Sequence, residues 1–284
     1  MHFKTLLFLS TVALGLCANA PPIGSITVGP GGQYSTLSDA LTDTSSNVYF
    51  IYGTSINERV VITRPNITIY GQTSDKSTYS KNLATIHNNI PASTAGSGEA
   101  SATISIHAST TDVKFYNLNI ANTYGYGSQA IALSINGTRF GAYGVNLTGY
   151  QDTFLTMNGI HFFSKGYING EVDFATSGRL FDDPFYYAID QSNVIGTGIQ
   201  YLGRPWRNYA RVIFQNSVLG SQITLANPLA GLNGGVTNPM TDHIFYGEFN
   251  NTGPEAWNPA RAPFATNMSE GLALDTVFSG STYL

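Results

Sequence analysis

The chain has 284 residues, 42% of them hydrophobic and 12% aromatic, so it can bury a sizeable core and is not a disordered segment. Charged residues make up only 11%, and 13 basic against 17 acidic side chains leave a net charge of −4, which argues against a nucleic-acid partner gripped through its phosphates. The 30 glycines, 17 tyrosines and 16 phenylalanines, set among many Ser, Thr and Asn, favour strands and turns over a coiled coil or helical bundle.

The first predicted element is a leader. Lys4 precedes an apolar run from Leu6 to Cys17, and the small-residue site Ala18-Asn19-Ala20 follows, so residues 1–20 read as a secretory signal peptide. The apolar run is about 12 residues, too short for a membrane span, which needs roughly 20. Residues 21–284 then form a single domain with no composition break, and Cys17 is the only cysteine, so that domain must stand without disulfides. Asn-x-Ser/Thr sequons at Asn66, Asn136, Asn146, Asn250 and Asn267 are candidate glycosylation sites of an exported, extracellular product.

Helical periodicity occurs only near Tyr34 to Leu41, where a hydroxyl side chain can cap one or two turns. Short β-type runs follow: Val48 to Tyr52, Arg59 to Ile62, Ile67 to Tyr70, Thr103 to Ile106, Val113 to Ile120, Ala130 to Leu133, Thr138 to Leu147, His161 to Ile168 and Arg211 to Phe214. The Ser-, Ala- and Gly-rich stretch Pro91 to Ala100 reads as a loop. Phe115, Phe140 and Phe163 open similar segments at intervals of 25 and 23, continuing as Leu118-Asn119-Ile120, Val145-Asn146-Leu147 and Tyr167-Ile168-Asn169. Self-similarity at this period predicts a parallel β-solenoid, whose coils stack strand on strand; a β-sandwich has turns every 8 to 12 residues and no longer register.

Polar residues recur at nearly the same interval: Gln129 to Gln151 is 22 residues and Asp152 to Asp173 is 21. In a solenoid these lie on neighbouring rungs about 4.8 Å apart and can converge on one face. Two carboxylates that close cannot both ionise cheaply, so one serves as an acid and the other as a nucleophile or base. The plainer reading makes both aspartates turn residues that accept from backbone amides. Further along, Tyr201-Leu202-Gly203-Arg204-Pro205-Trp206 locks a guanidinium and an indole into one corner. That corner fits either a bidentate carboxylate clamp with a sugar-stacking face or a structural ion pair with a packing aromatic. No Gly-x-Ser-x-Gly elbow, His-Glu-x-x-His or phosphate-binding glycine loop is present, and the scattered His87, His107, His161 and His243 are given no catalytic role.

These residues together resemble the pectin methylesterases, the pectinesterase family. The matches are Gly32-Gln33-Tyr34-Ser35-Thr36-Leu37, Gln129-Ala130-Ile131-Ala132-Leu133, Gly149-Tyr150-Gln151-Asp152-Thr153, Gly170-Glu171-Val172-Asp173-Phe174 and Leu202-Gly203-Arg204-Pro205-Trp206, five motifs in order across nearly the whole chain. The stretches Tyr201 to Gln215 and Gly247 to Pro254, with the lack of further cysteines, look most like fungal members. The resemblance implies an all-β, single-stranded right-handed parallel β-helix. It also implies hydrolysis of the methyl esters of galacturonosyl residues in methylated homogalacturonan, without metal or cofactor; the sequence itself suggests a monomer. Carried over by motif, Asp173 is the nucleophile, Asp152 the acid and base, Gln151 and Gln129 the oxyanion donors, Arg204 the group that orients Asp173, and Trp206 a wall of the sugar cleft.

One departure stands out. The family runs from the valine-aspartate-phenylalanine element into isoleucine-phenylalanine-glycine and a further strand region. Here Asp173-Phe174 leads straight into Ala175-Thr176-Ser177-Gly178-Arg179, which resembles a later family segment. About one coil is therefore expected to be absent after Phe174, either deleted or left out of the coding sequence. The alternative function is a noncatalytic or impaired pectin-binding member of the family. A pectate lyase would want a calcium-binding acidic cluster and a polygalacturonase several aspartates with a histidine, and the sequence displays neither.

Overall fold

The computed structural model describes residues 19–172, 175–177, 179–181, 183–200, 202, 204–205, 208–224 and 243–278, with backbone alone at 175–177 and 204–205. Apolar residues here recur in runs of three to six, too short for a helix of useful length, and their β-branched and aromatic side chains suit a pleated surface. The strands form three parallel sheets of ten, seven and six members among the described residues. One coil shows the plan: Thr138–Tyr143 lies in the ten-stranded sheet, Asn146–Thr148 in the seven-stranded and Phe154–Thr156 in the six-stranded, and His161–Ser164 then returns beside Thr138–Tyr143. The chain is thus the right-handed parallel β-helix that the spacing and the resemblance predict.

Several predicted strands are in fact two. Val113 to Ile120 divides into Thr111–Tyr116 and Asn119–Asn122, and His161 to Ile168 into His161–Ser164 and Tyr167–Gly170. At each break a residue takes positive φ: Asn117 (51°), Gly144 (62°), Lys165 (51°), Gln191 (47°), Asn216 (51°) and Asn250 (49°). Stacked coil on coil, these left-handed residues make the corner where the chain leaves the ten-stranded sheet. The predicted helix is Leu37–Ala40, with Thr36 accepting from the Asp39 amide as its N-cap. Pro91 to Ala100 is not plain loop: it holds the helical turns Ala92–Ala95 and Gly98–Ser101, the first closed by Gly96 at φ 92° and the second capped by Ser97.

The phenylalanine repeat also needs correction. Phe115 pairs with Ala142 and Ala142 with Phe163, whereas Phe140 pairs with Val113 and His161. The coil lengths are therefore 27 and 21, not 25 and 23. The rings still meet across the register, Phe115 on Phe140 at 5.1 Å and Phe140 on Phe163 at 5.4 Å, so the aromatic spacing reported contact and not pairing. Buried Phe154, Tyr187 and Phe214 continue this column inside the coils.

Among the described residues the ladder beyond Phe174 has no empty rung. Ala175–Ser177 pairs with Phe154–Thr156, Tyr187–Asp190 with His161–Ser164, and Thr176 with Arg204. The coil closes through a segment where Arg179 and Asp183 form a buried ion pair at 2.9 Å while Phe181 is 77% exposed. No described helix is long and apolar enough to cross a membrane.

Candidate active site

Each coil crosses from the seven-stranded to the six-stranded sheet through a loop, and successive crossings stack into a ridge. Those after Asn119–Asn122, Asn146–Thr148, Tyr167–Gly170 and Asn193–Gly196 carry, in turn, Gln129, the pair Gln151 and Asp152, the pair Glu171 and Val172, and Gln200. The polar residues singled out by spacing therefore fall on one ridge, as a solenoid requires.

Gln151 bridges in parallel to Val172, and its carbonyl accepts from the Ala130 amide at 2.9 Å. The Asp152 amide donates to the Val172 carbonyl at 3.0 Å. Leu133 pairs with Phe154 and Phe154 with Ala175, so the period here is 21 residues. Asp173 lies outside the described residues; its described neighbours Val172 and Ala175 pair with Gln151 and Phe154, so both of its flanks keep that period. Counting back from Leu133 puts Ala130, not Gln129, opposite Gln151, so the 22-residue spacing is one residue off register. Gln129 is exposed, with its carbonyl accepting from the Ala92 amide at 2.8 Å.

Asp152 is only 9% exposed and sits at φ 57°, a left-handed conformation that aspartate tolerates better than most residues. It interrupts the in-and-out alternation of an extended strand, so adjacent Gln151 and Asp152 need not point to opposite faces. Gly149 makes the approach to this turn, because a Cβ there would stand 2.7 Å from the Thr153 hydroxyl, which itself donates to the Asn169 carbonyl at 3.1 Å. The backbone of Arg204 stands one rung beyond Thr176. The Arg204 side chain and the whole of Trp206 lie outside the described residues.

Two ridge residues were not singled out from the sequence. Tyr150 and Glu171 are 21 residues apart, the same interval as Asp152 and Asp173, and the Glu171 amide donates to the Tyr150 carbonyl at 2.8 Å. Burial, the facing charge of Glu171 and the hydrogen bond between the two side chains raise the Tyr150 hydroxyl above the ordinary tyrosine range. Exposed Tyr126 places its ring edge-on to Tyr150 at 5.9 Å. Further along the ridge opens a hollow of about 550 Å³, lined by Gly196, Thr197, Ile199, Gln222, Thr224 and Glu255. No group of three or more His, Cys, Asp or Glu among the described residues is arranged to hold a metal ion. His161, the one fully buried histidine described, is on the ten-stranded sheet with Nε2 2.8 Å from the Gly137 carbonyl, and burial lowers its pKa to about 3.

The Pectinesterase family model matches residues 26–180 and 187–273. A probable pectinesterase A of Neosartorya fischeri is 35% identical over 322 aligned positions, covering 98% of this chain and 96% of the relative. Since 322 exceeds 284 by 38, at least that many positions are filled only in the relative. Pectinesterase A of Emericella nidulans is 35% identical, covering 94% of this chain and 93% of its own length. Among solved structures, the pectin methylesterase from Aspergillus niger superposes with a TM-score of 0.75 at 33% identity, covering 93% of this chain and 96% of that one. The carrot pectin methylesterase shares the fold with a TM-score of 0.69 at 21% identity, covering 92% of this chain and 95% of its own.

Proposed function

From a chain that belongs to the pectinesterase family, and is therefore a carboxylic ester hydrolase acting on pectin methyl esters, we propose a reaction carried by the ridge residues. The observation that supports it is the 21-residue register that puts Gln151 and Asp152 on the rung next to both flanks of Asp173. Asp173 attacks the ester carbonyl of a galacturonosyl residue, and the Gln151 amide, with Gln129 beside it, donates hydrogen bonds to the oxyanion that forms. Asp152 gives its proton to the departing methoxide, leaving methanol and an anhydride between Asp173 and the sugar carboxyl. The Asp152 carboxylate then takes a proton from water, whose oxygen attacks the anhydride. The anhydride C–O bond to Asp173 breaks, the galacturonic acid leaves and gives its proton to the solvent, and Asp173 is again a carboxylate and Asp152 again an acid. Arg204 holds Asp173 ionised and oriented through paired N–H donors, and Trp206 lines the sugar cleft.

Residues 1–20 direct export and are removed, and the polymer meets the enzyme outside the cell. A second reading has its own support. The family match breaks at 181–186, the relative carries at least 38 additional positions, and Arg204 stands one rung past Thr176. On that reading the chain is shortened after Phe174, Arg204 is displaced by about one 4.8 Å rung, and pectin is bound with impaired turnover. A methanol-release assay on methylated pectin, with Asp173→Asn as control, separates the two. Release well above the control supports the esterase, and binding with release no higher than the control supports the impaired member.

A further inference from the structure

Glu171 is the described carboxylate on the rung after Asp152, and it is held in place. From the preceding rung the Tyr150 carbonyl accepts the Glu171 amide at 2.8 Å and the Tyr150 hydroxyl faces its carboxylate, Tyr126 stands edge-on to Tyr150, and Gly198 of the following rung comes so close that a Cβ would collide with Glu171. Further along the ridge, Glu255 lines the hollow, with the Arg261 guanidinium on its carbonyl at 2.6 Å, and no described ion pair neutralises the Glu171 carboxylate. The polymer that the proposed reaction acts on comes in two electrical forms. A methylated galacturonosyl residue is neutral, whereas a demethylated one carries a full negative charge.

We propose that Glu171 is a specificity-determining residue, which disfavours free galacturonate beside the reacting sugar and selects a methyl ester whose neighbour is still methylated. This inference rests on the pectinesterase reading above and names what its substrate must look like next to the cleaved ester. Glu171 takes no part in bond making. It acts through like-charge repulsion near the protein surface, which at one or two rungs is worth about a five-fold preference. One consequence is that the enzyme moves away from stretches it has already demethylated.

Binding is the readout, so that the test does not depend on turnover. Dissociation constants are measured for wild type, Glu171→Gln and Tyr150→Phe, each also carrying Asp173→Asn so that the pectin keeps its esters during the titration, against pectin of high and of low methylation, at low salt and again at 0.5 M salt, where the Debye length falls to several ångströms. Wild type is expected to favour highly methylated pectin about five-fold at low salt, a preference that salt compresses. Glu171→Gln is expected to bring the two affinities within two-fold by tightening the grip on low-methyl pectin, and Tyr150→Phe, which frees the carboxylate to swing away, to fall between. No preference in wild type, an unchanged preference in Glu171→Gln, or weaker binding of both pectins by that variant overturns the proposal. Methanol release measured in parallel on chains that keep Asp173 reports separately on the esterase reading, since a chain can keep the charge-dependent preference and release nothing.

Discussion

At the residue scale, the site depends on backbone conformations that few side chains accept. Asp152 holds φ 57° with its amide on the Val172 carbonyl, and asparagine tolerates that conformation equally well. Asp152→Asn should therefore keep the melting temperature within a few degrees while lowering kcat at least a hundredfold, because the amide can neither deliver the proton to methoxide nor take one from water. A methanol assay beside a thermal melt checks both halves. Gln151→Ala should lower kcat by about 10²–10³ with little change in KM, the usual cost of removing an oxyanion donor. A KM that rises instead would make Gln151 a binding residue. The sequons divide by exposure. Asn66, Asn250 and Asn267 are exposed, whereas Asn136 and Asn146 are half-buried in the coil, with Asn146 accepting from the hydroxyl of its own sequon threonine, Thr148, at 3.1 Å. Glycopeptide mapping of secreted protein is expected to find glycan on the first three and bare asparagine at the last two.

At the element scale, the fold is set by what happens between strands. Gly144 turns its corner at φ 62°, and a Cβ there would stand 2.7 Å from the Asn117 Nδ2. Gly144→Ala should cost about 1–2 kcal/mol in urea denaturation. Lys165, at the same corner one coil on, already bears the strain at φ 51°, so Lys165→Gly should change stability by less than about 1 kcal/mol. This difference explains which parts of the architecture were legible in the sequence. Inward-facing Ile, Val and Phe gave the strands, their recurrence gave the solenoid, and Thr36 gave the cap of Leu37–Ala40. The corners were not legible, because Asn, Gly, Lys and Gln all occupy one structural column and share no side-chain chemistry that a pattern could report. The true register was hidden for a related reason, since the rings of Phe115, Phe140 and Phe163 touch diagonally while their backbones pair with other residues. On the ridge, the 21-residue interval found the aspartates because both were chemically conspicuous. The identical interval from Tyr150 to Glu171 carries no such signal, because a tyrosine and a glutamate do not look like a pair until a rung brings them together.

At the scale of the whole molecule, one apolar stack runs through the coils from Ile26 to Tyr246, and polar groups interrupt it where the chain closes the coil after Phe174. There His161 pairs with Tyr187 across adjacent strands, and Arg179 is fully buried, bonded to Asp183 and to the Gly159 carbonyl. Burial, reinforced by the nearby Arg179 charge, lowers the His161 pKa from 6.5 to about 3. Between those two values the unfolded chain carries a proton on this histidine that the folded chain refuses, so each step down in pH favours unfolding. The stabilisation is fully present above pH 6.5, shrinks as the pH falls below that, and is gone near pH 3, amounting to no more than about 5 kcal/mol. Without disulfides after Cys17, nothing covalent holds the coils together while this happens. Wild type should therefore lose stability steeply from pH 6.5 downward, and His161→Gln, although less stable at pH 7, should show a shallower fall, so that the two curves approach each other toward pH 4. Urea melts at intervals of half a pH unit measure both slopes, and parallel curves would show that the histidine is not what makes this solenoid sensitive to acid.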